Sequence, residues 1–167
     1  MITILCIIVF IWLLKKAFTP EKRDEKKVVE EIEKLPRIEL KSNGVSKIDK
    51  YWYGEQNILD TFIYDNRKIS LKLKSGKSFS AYLSDINVQF EQSKGMPLHI
   101  MVYKGSALYT NTYISFYESE HFNNKQWEII KGVLCLSKKV YGLSSIKINQ
   151  DLSKGLGVVK VILKLLN

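Results

Sequence analysis

Cysteine and histidine are scarce in this sequence, which has two residues of each type in 167. Cys6 lies in an apolar run at the N-terminus and Cys135 in a predicted buried helix, so the two cannot easily pair. The sequence therefore excludes a scaffold built on disulfides. Zinc sites usually draw three or four nitrogen or sulfur ligands, and His121 has no second histidine or cysteine nearby. We predict no metal site.

Motifs of the common enzyme families are also missing. Gly155 and Gly157 give a GxG without the remaining spacing of a phosphate-binding loop, and neither a P-loop nor a hydrolase elbow is present. Cys135 stands between two leucines, which favours a core thiol over an exposed nucleophile. We therefore predict no catalytic residue and no cofactor.

One cluster keeps an enzyme open as an alternative. Its members, Glu118, Ser119, Glu120 and His121, follow a predicted strand and precede a predicted helix. Carboxylates beside a histidine can perform acid/base chemistry or bind a metal, whereas a polar loop before a helix explains the same residues without chemistry.

Positive charge is unevenly distributed along the chain, whose formal net charge is +9. Residues 1–36 carry seven Lys or Arg against six Asp or Glu, and the remainder carries 19 against 11. A field of this sign favours anionic lipid, nucleic acid or an acidic protein partner, although a basic surface can serve solubility alone. With 46% hydrophobic residues, about 130 residues after the N-terminal region suffice for one folded domain.

An apolar run at residues 2–18 predicts a membrane anchor. Its first thirteen residues are uncharged. Spanning a bilayer takes about 20 residues, so Lys15 and Lys16 must extend to the interface or the bilayer must thin. A cleaved signal peptide needs basic residues before the run and a small-residue site after it, and both are missing. A lipoprotein signal and a buried core helix fit less well, because Cys6 comes too early and the run has no polar face.

Six basic residues follow the uncharged first part of the run within about 15 positions, and none precedes it. This asymmetry predicts a single-pass protein whose C-terminal domain faces the cytoplasm. Thr19 and Pro20 then begin a charged spacer helix, which Pro36 ends. The predicted division is therefore an anchor at 1–18, a spacer at 19–36 and an α+β domain at 37–167.

Short runs of β-type residues, separated by turn residues, fill the first two thirds of this domain. The predicted strands are 37–41, 46–53, 58–64, 68–74, 78–84, 86–92, 98–104 and 107–118. In the hairpin around Ser75, alternation predicts a three-residue loop at 75–77, with Leu73 opposite Phe79 and Leu71 opposite Ala81.

After residue 118 the apolar period changes from two to that of a helix. Asn123 or Asn124 caps a predicted helix that runs to Tyr141, with Gly142 as its C′ residue. A short strand around residues 146–148 and a last amphipathic helix at 151–167 follow. We expect this last helix to pack on the sheet; the alternative is a helix lying in the membrane interface. The predicted class is α+β, a mainly antiparallel sheet with two C-terminal helices.

Three groups of residues are candidates for binding. The first joins a cation to consecutive aromatic residues and suits an interface or base stacking; the second surrounds the basic hairpin; the third lies on the polar side of the last helix. They are Lys50, Tyr51, Trp52 and Tyr53; Arg67, Lys68, Lys72, Lys74 and Lys77; and Lys160 and Lys164. A partly covered edge strand and solvated charges explain the same patterns without a ligand.

The layout of an antiparallel sheet capped by a helix, with a basic hairpin, loosely resembles pleckstrin-homology-like modules. This resemblance implies a fold layout and carries no functional residues. We predict a membrane-anchored, non-catalytic binding module whose partner is a protein. Anionic lipid, and after it nucleic acid, bound through the lysine-rich surface, is the alternative.

Overall fold

The computed structural model describes residues 35–44, 57–105, 112–142 and 162–167. These residues form an α+β structure, which confirms the predicted class. Their strands are β1 (Ile38–Lys41), β2 (Leu59–Asp65), β3 (Lys68–Leu73), β4 (Ser78–Tyr82), β5 (Ile86–Glu91), β6 (His99–Lys104), β7 (Tyr113–Tyr117) and β8 (Lys139–Tyr141). The helix α1 spans Asn124–Leu134, and residues 162–166 form a terminal helical turn.

Instead of the single predicted sheet, the strands form two four-stranded sheets. The first has the order β1-β2-β3-β4 and the second β7-β6-β5-β8. A 3-10 turn at Leu83–Asp85 separates β4 from β5 and ends the first sheet. Alternation along a strand predicts which face is buried, but it does not tell which other strand is the neighbour. The prediction of one sheet was wrong for this reason.

The β3–β4 hairpin has the predicted loop length but a different register. Leu71 lies opposite Phe79, two residues from the predicted pairing. Gly76 has φ +88° and donates its N–H to the carbonyl of Leu73, while the N–H of Leu73 donates to the carbonyl of Lys77. The three-residue loop is therefore 74–76, because glycine takes the left-handed position at its end. A shift by two keeps the buried face unchanged, and Leu71 remains buried as predicted.

The core joins the inner faces of both sheets to α1. Phe62, Leu71 and Phe90 from the sheets and Trp127 from α1 belong to one cluster of buried side chains. The predicted cap at Asn123 is confirmed, since its side chain accepts the N–H of Gln126 at 2.9 Å and the Gln126 side chain returns the bond. Such a reciprocal cap satisfies two backbone donors.

The helix after β7 is shorter than predicted. α1 ends at Leu134, because the N–H groups of Leu136 and Ser137 turn back to carbonyls three residues earlier. Residues Lys139–Tyr141 form β8, which pairs in parallel with β5 and places Val140 beside Val88. Lys139, Val140 and Tyr141 are exposed, half-buried and exposed, which fits the period of a strand as well as that of a helix. Pairing with β5 decided between them.

The terminal helical turn packs against the domain. Ile162 is fully buried in the core, Leu163 and Leu165 contact the core, and Lys164 is exposed. For these residues the predicted packing of the last helix is confirmed, although Leu166 is 36% exposed.

Several predictions fall outside the described residues. They concern the anchor at 2–18, nearly all of the spacer, the strands at 46–53 and 146–148, and the beginning of the last helix. Among the residues that the structure does describe, no helix has the length and apolar character needed to cross a membrane.

Candidate binding face

The outer side of the second sheet carries an unusual concentration of tyrosine. On its four strands every second residue faces away from the core, because the residues between them are buried. We call this surface the tyrosine face. It consists of Asn87, Gln89, Glu91, His99, Met101, Tyr103, Tyr113, Ser115, Tyr117, Lys139 and Tyr141.

Strand register arranges these residues in three rows across the sheet. The first row holds Tyr117, His99 and Glu91, and the second holds Ser115, Met101, Gln89 and Tyr141. The third row runs from Tyr113 through Tyr103 and Asn87 to Lys139. Side chains opposite one another on neighbouring strands lie about 5 Å apart at Cβ, so each row is a continuous line of contacts.

Tyr103 forms the floor of this face. It is 8% exposed, whereas Tyr113 and Tyr141 are 48% and 45% exposed. Burial raises the pKa of the Tyr103 hydroxyl above its ordinary value, and the nearby Tyr141 raises it further. A tyrosine hydroxyl can donate a hydrogen bond to a ligand.

The side chains at one corner of the face interact with one another. The rings of His99 and Tyr117 stack with centroids 4.5 Å apart and planes 18° apart. The Nδ1 of His99 lies 3.7 Å from Glu91 Oε2, and the Nε2 of Gln89 donates to Glu91 Oε1 at 2.6 Å. Glu91, the acidic residue of the tyrosine face, is thus engaged by its neighbours.

The side-chain amide of Asn87 lies in the third row. Its Nδ2 donates to the carbonyl of Gly105 at 2.6 Å. Its Oδ1 is buried and has no hydrogen-bond partner within the described part of the chain. A buried acceptor without a partner is costly, by about 1–3 kcal/mol.

The basic hairpin residues occupy several environments. Asn66 and Arg67 have φ values of +44° and +65° and form the tight β2–β3 turn, which exposes Arg67. Lys68 and Lys72 are exposed on the outer side of the first sheet. There Lys68 helps to line a shallow groove of about 360 Å³, together with Arg37, Ile63, Asp65, Asn66, Ser70 and Tyr82. The acid Asp65 reduces the positive potential of this groove.

The two lysines near the β3–β4 loop point elsewhere. The Nζ of Lys74 lies 3.4 Å from His121 Nδ1, and the Nζ of Lys77 lies 4.5 Å from the centroid of the Tyr113 ring. Lys77 therefore belongs to the rim of the tyrosine face. Lys164 is exposed on the terminal helical turn, while Lys160 and the group Lys50, Tyr51, Trp52 and Tyr53 lie outside the described residues. A binding role for all these residues stays a prediction.

The residues of the 118–121 cluster make contacts with different elements. Glu118 pairs with Lys131 of α1 at 3.3 Å, and the carbonyl of Ser119 accepts the indole N–H of Trp127 at 2.7 Å. His121 is 2% exposed and its Nδ1 is 3.4 Å from the carbonyl of Asn43. These contacts join β7, α1 and the chain near β1. The hypothesis of an enzyme with this site stays untested and gains no support from this geometry.

Lys131 permits a test of this junction by pH. Its Nζ lies 2.7 Å from Glu128 and 3.3 Å from Glu118. Burial lowers the pKa of Lys131, but the hydrogen bond with Glu128 and the charge of Glu118 outweigh it, so the pKa is raised overall. A group whose pKa is raised by folding stabilises the folded state at pH values below its unfolded-state pKa. This contribution is lost as the pH rises through the folded-state pKa.

We therefore expect Lys131→Met to destabilise the domain at pH 7 by about 1 kcal/mol or less, because the two glutamates left behind are partly exposed to solvent. The loss of stability of the wild-type protein above about pH 10 should be smaller in the variant. Urea unfolding at pH 7, 9, 10 and 11 measures both, and Lys125→Met on the exposed start of α1 is the control. Parallel stability curves for wild type and Lys131→Met would contradict the prediction.

The sequence indicated only part of the tyrosine face. His99, Met101 and Tyr103 share one side of β6 by simple alternation, and Tyr113 and Tyr117 follow the same rule within the predicted strand 107–118. Asn87, Gln89 and Glu91 alternate in the same way within the predicted strand 86–92. Lys139 and Tyr141 could not be found, because they were predicted to be helical. No local signal could have shown a strand there, because Lys139, Val140 and Tyr141 fit the period of a strand as well as that of a helix.

Comparison of the chain with protein-family models, with curated proteins and with solved structures finds no match in any of the three. The resemblance to pleckstrin-homology-like modules therefore stays an analogy of layout. Since one fold can serve many functions, the function must be argued from the tyrosine face itself.

Proposed function

We propose that this protein is a membrane-tethered, non-catalytic module that binds a protein partner on its tyrosine face. The observation that carries the proposal is the composition of that face, where four of the eleven residues are tyrosine, one is methionine and two, Glu91 and Lys139, are charged. Protein interfaces are enriched in these residue types and depleted of charge at their centre. Tyrosine combines a large apolar ring with a hydroxyl and is frequent among residues that dominate binding energy.

The exposed rings of Tyr113 and Tyr141 supply the contact area of the proposed interface. Their strands lie at opposite edges of the second sheet, so a partner that touches both must cover the centre, where Met101 and Tyr103 lie. The sheet holds these side chains on a rigid scaffold, which lowers the entropy lost on binding.

The alternative, anionic lipid or nucleic acid bound through the basic hairpin, has weaker support. Lys68 and Lys72 share one face, but Lys74 turns to His121 and Lys77 to Tyr113. The hairpin residues are therefore divided among several surfaces, whereas a binder of this kind needs a common one.

The proposed tether is the apolar run at residues 2–18, with the domain on the cytoplasmic side. Its support is the uninterrupted hydrophobic sequence and the basic residues that follow it. Anchoring would confine the module near partners at the same membrane and raise their effective concentration.

Co-purification from detergent-solubilised membranes tests the proposed function. The tagged full-length chain should retain one or more proteins that are lost from the double variant Tyr113→Ala/Tyr141→Ala. Removal of each exposed ring is expected to weaken binding by about 2 kcal/mol, or roughly 30-fold. Tyr82→Ala is the matched control, because Tyr82 is 52% exposed on the other sheet. The same proteins retained by the double variant and by the wild type would refute the proposal.

A further inference from the structure

The third row of the tyrosine face is neutral along its length and has a cation at each end. At one end the ammonium group of Lys77 lies over the Tyr113 ring, 4.5 Å from its centroid. At the other end Lys139 is exposed on the edge strand β8, beside Asn87 of β5. Between them stand Tyr103 and Asn87, which carry no charge.

Neither lysine has a carboxylate within ion-pair distance among the residues that the structure describes, whereas Lys41 and Lys131 do. Two unpaired ammonium groups at the rim of an aromatic surface favour a ligand with two negative charges. Charge complementarity at the rim of an interface selects the partner and increases the association rate.

The distance between the two ends limits the ligand. The row crosses four strands in the order β7-β6-β5-β8, so its ends are three strand spacings of about 4.8 Å apart, or roughly 14 Å. Lysine side chains extend this separation by a few ångströms. An extended peptide advances about 3.3 Å per residue, so two carboxylates four to six residues apart would match both lysines.

The centre of the row suits the backbone of such a peptide. Tyr103 and Asn87 at its centre are polar and uncharged, so a peptide backbone can lie over them without burying an unpaired charge. The exposed ring of Tyr113 lies in this row, and that of Tyr141 lies beside Lys139 on β8, so each can contact an apolar side chain of the peptide. A single nucleic-acid strand fits less well, because it carries a phosphate at every nucleotide and the middle of the row offers no cation.

We infer that the tyrosine face takes an extended acidic peptide segment whose two carboxylates, four to six residues apart, pair with Lys77 and Lys139. This inference rests on the proposed function, because it names the chemistry of the partner at the same face. It adds the sign, the number and the spacing of the charges.

A library of random twelve-residue peptides displayed on phage tests the inference with the full-length chain in detergent. Selection on the wild type, after depletion on the Tyr113→Ala/Tyr141→Ala variant, should enrich peptides with two Asp or Glu residues four to six positions apart. Binding of the enriched peptide should weaken as salt is raised, since exposed ion pairs are screened.

Charge reversal then locates the contact. Lys77→Glu and Lys139→Glu should each weaken binding of the enriched peptide by about tenfold or more. Lys68→Glu and Lys72→Glu on the first sheet should leave its affinity unchanged. A peptide with one acid replaced by lysine should regain binding to the Lys139→Glu or the Lys77→Glu variant. This rescue also shows that the variant is folded.

The possible failures are distinguishable. Enriched peptides without a pair of acids, or equal losses in Lys68→Glu and Lys139→Glu, would overturn this inference and leave the proposed function intact. No enrichment over the tyrosine variant would also overturn this inference, whereas the proposed function fails only if the same proteins co-purify with the wild type and with the Tyr113→Ala/Tyr141→Ala variant. If a twelve-nucleotide oligothymidine binds more tightly than any selected peptide, and Tyr113→Ala abolishes this binding, the face would be assigned to single-stranded nucleic acid instead.

Discussion

Leu71→Lys is expected to unfold the domain, whereas Lys72→Leu should change its stability by less than about 1 kcal/mol. Leu71 is 1% exposed and lies between Phe62 and Phe79 on neighbouring strands. A lysine there would place an unpaired charge in the core at a cost of several kcal/mol, and a domain is stable by only about 5–15 kcal/mol in total. Circular dichroism and thermal melting measure the effect.

The neighbouring residue provides the matched control. Lys72 is exposed on the outer side of β3, so a leucine there removes one solvated charge and leaves the core unchanged. Similar destabilisation by Leu71→Lys and Lys72→Leu would mean that β3 does not present its alternate residues to the core in this way.

Gly142→Ala is expected to destabilise the domain by about 3 kcal/mol or more. Gly142 has φ +72°, and a Cβ atom there would lie 1.9 Å from the carbonyl oxygen of Phe90. The left-handed conformation costs a residue with a side chain roughly 1–2 kcal/mol, and overpacking a tight site typically adds 1–3 kcal/mol. Urea unfolding with an unchanged m-value would measure the loss.

Gly76→Ala separates the cost of the left-handed conformation from the cost of steric overlap. Gly76 has φ +88°, but no atom lies within 4 Å of a Cβ placed there. Gly76→Ala should therefore show only the conformational cost, about 1 kcal/mol. If Gly142→Ala is no worse than Gly76→Ala, β8 must end farther from Phe90 than the structure indicates.

The Gly142 variant also connects stability to binding. Phe90 belongs to β5, on which β8 pairs, so a side chain at position 142 pushes directly on that pairing. Displacement of β8 would move Lys139 and Tyr141 out of the tyrosine face. We expect Gly142→Ala to weaken partner binding even at temperatures where the rest of the domain stays folded.

Strands and the first helix were predictable because their signals are local. In β3, buried Ile69, Leu71 and Leu73 alternate with polar residues, and a period of two needs no knowledge of the neighbours. The capping box at Asn123 and Gln126 is equally local, since both partners lie within one turn.

Errors occurred where two local solutions have similar energies. The hairpin register shifted by two residues, because a shift of this size buries the same side chains and only the turn at Gly76 distinguishes the alternatives. For residues 139–141, the free energy of pairing with β5 made a strand more stable than one more turn of helix. That contribution comes from a strand about 50 positions earlier in the chain.

The sequence by itself determined the class of the domain, the buried side of most strands and the start of α1, because burial of alternating or helically spaced apolar residues is decided within one element. Only the tertiary structure decided that there are two sheets and that four strands assemble the tyrosine face. Its third row joins residues 87, 103, 113 and 139, and hydrogen bonds between strands set that alignment. Pairing energies depend on which strands meet after the whole chain has folded, so the arrangement of Lys77, Tyr113 and Lys139 has no counterpart in local sequence pattern.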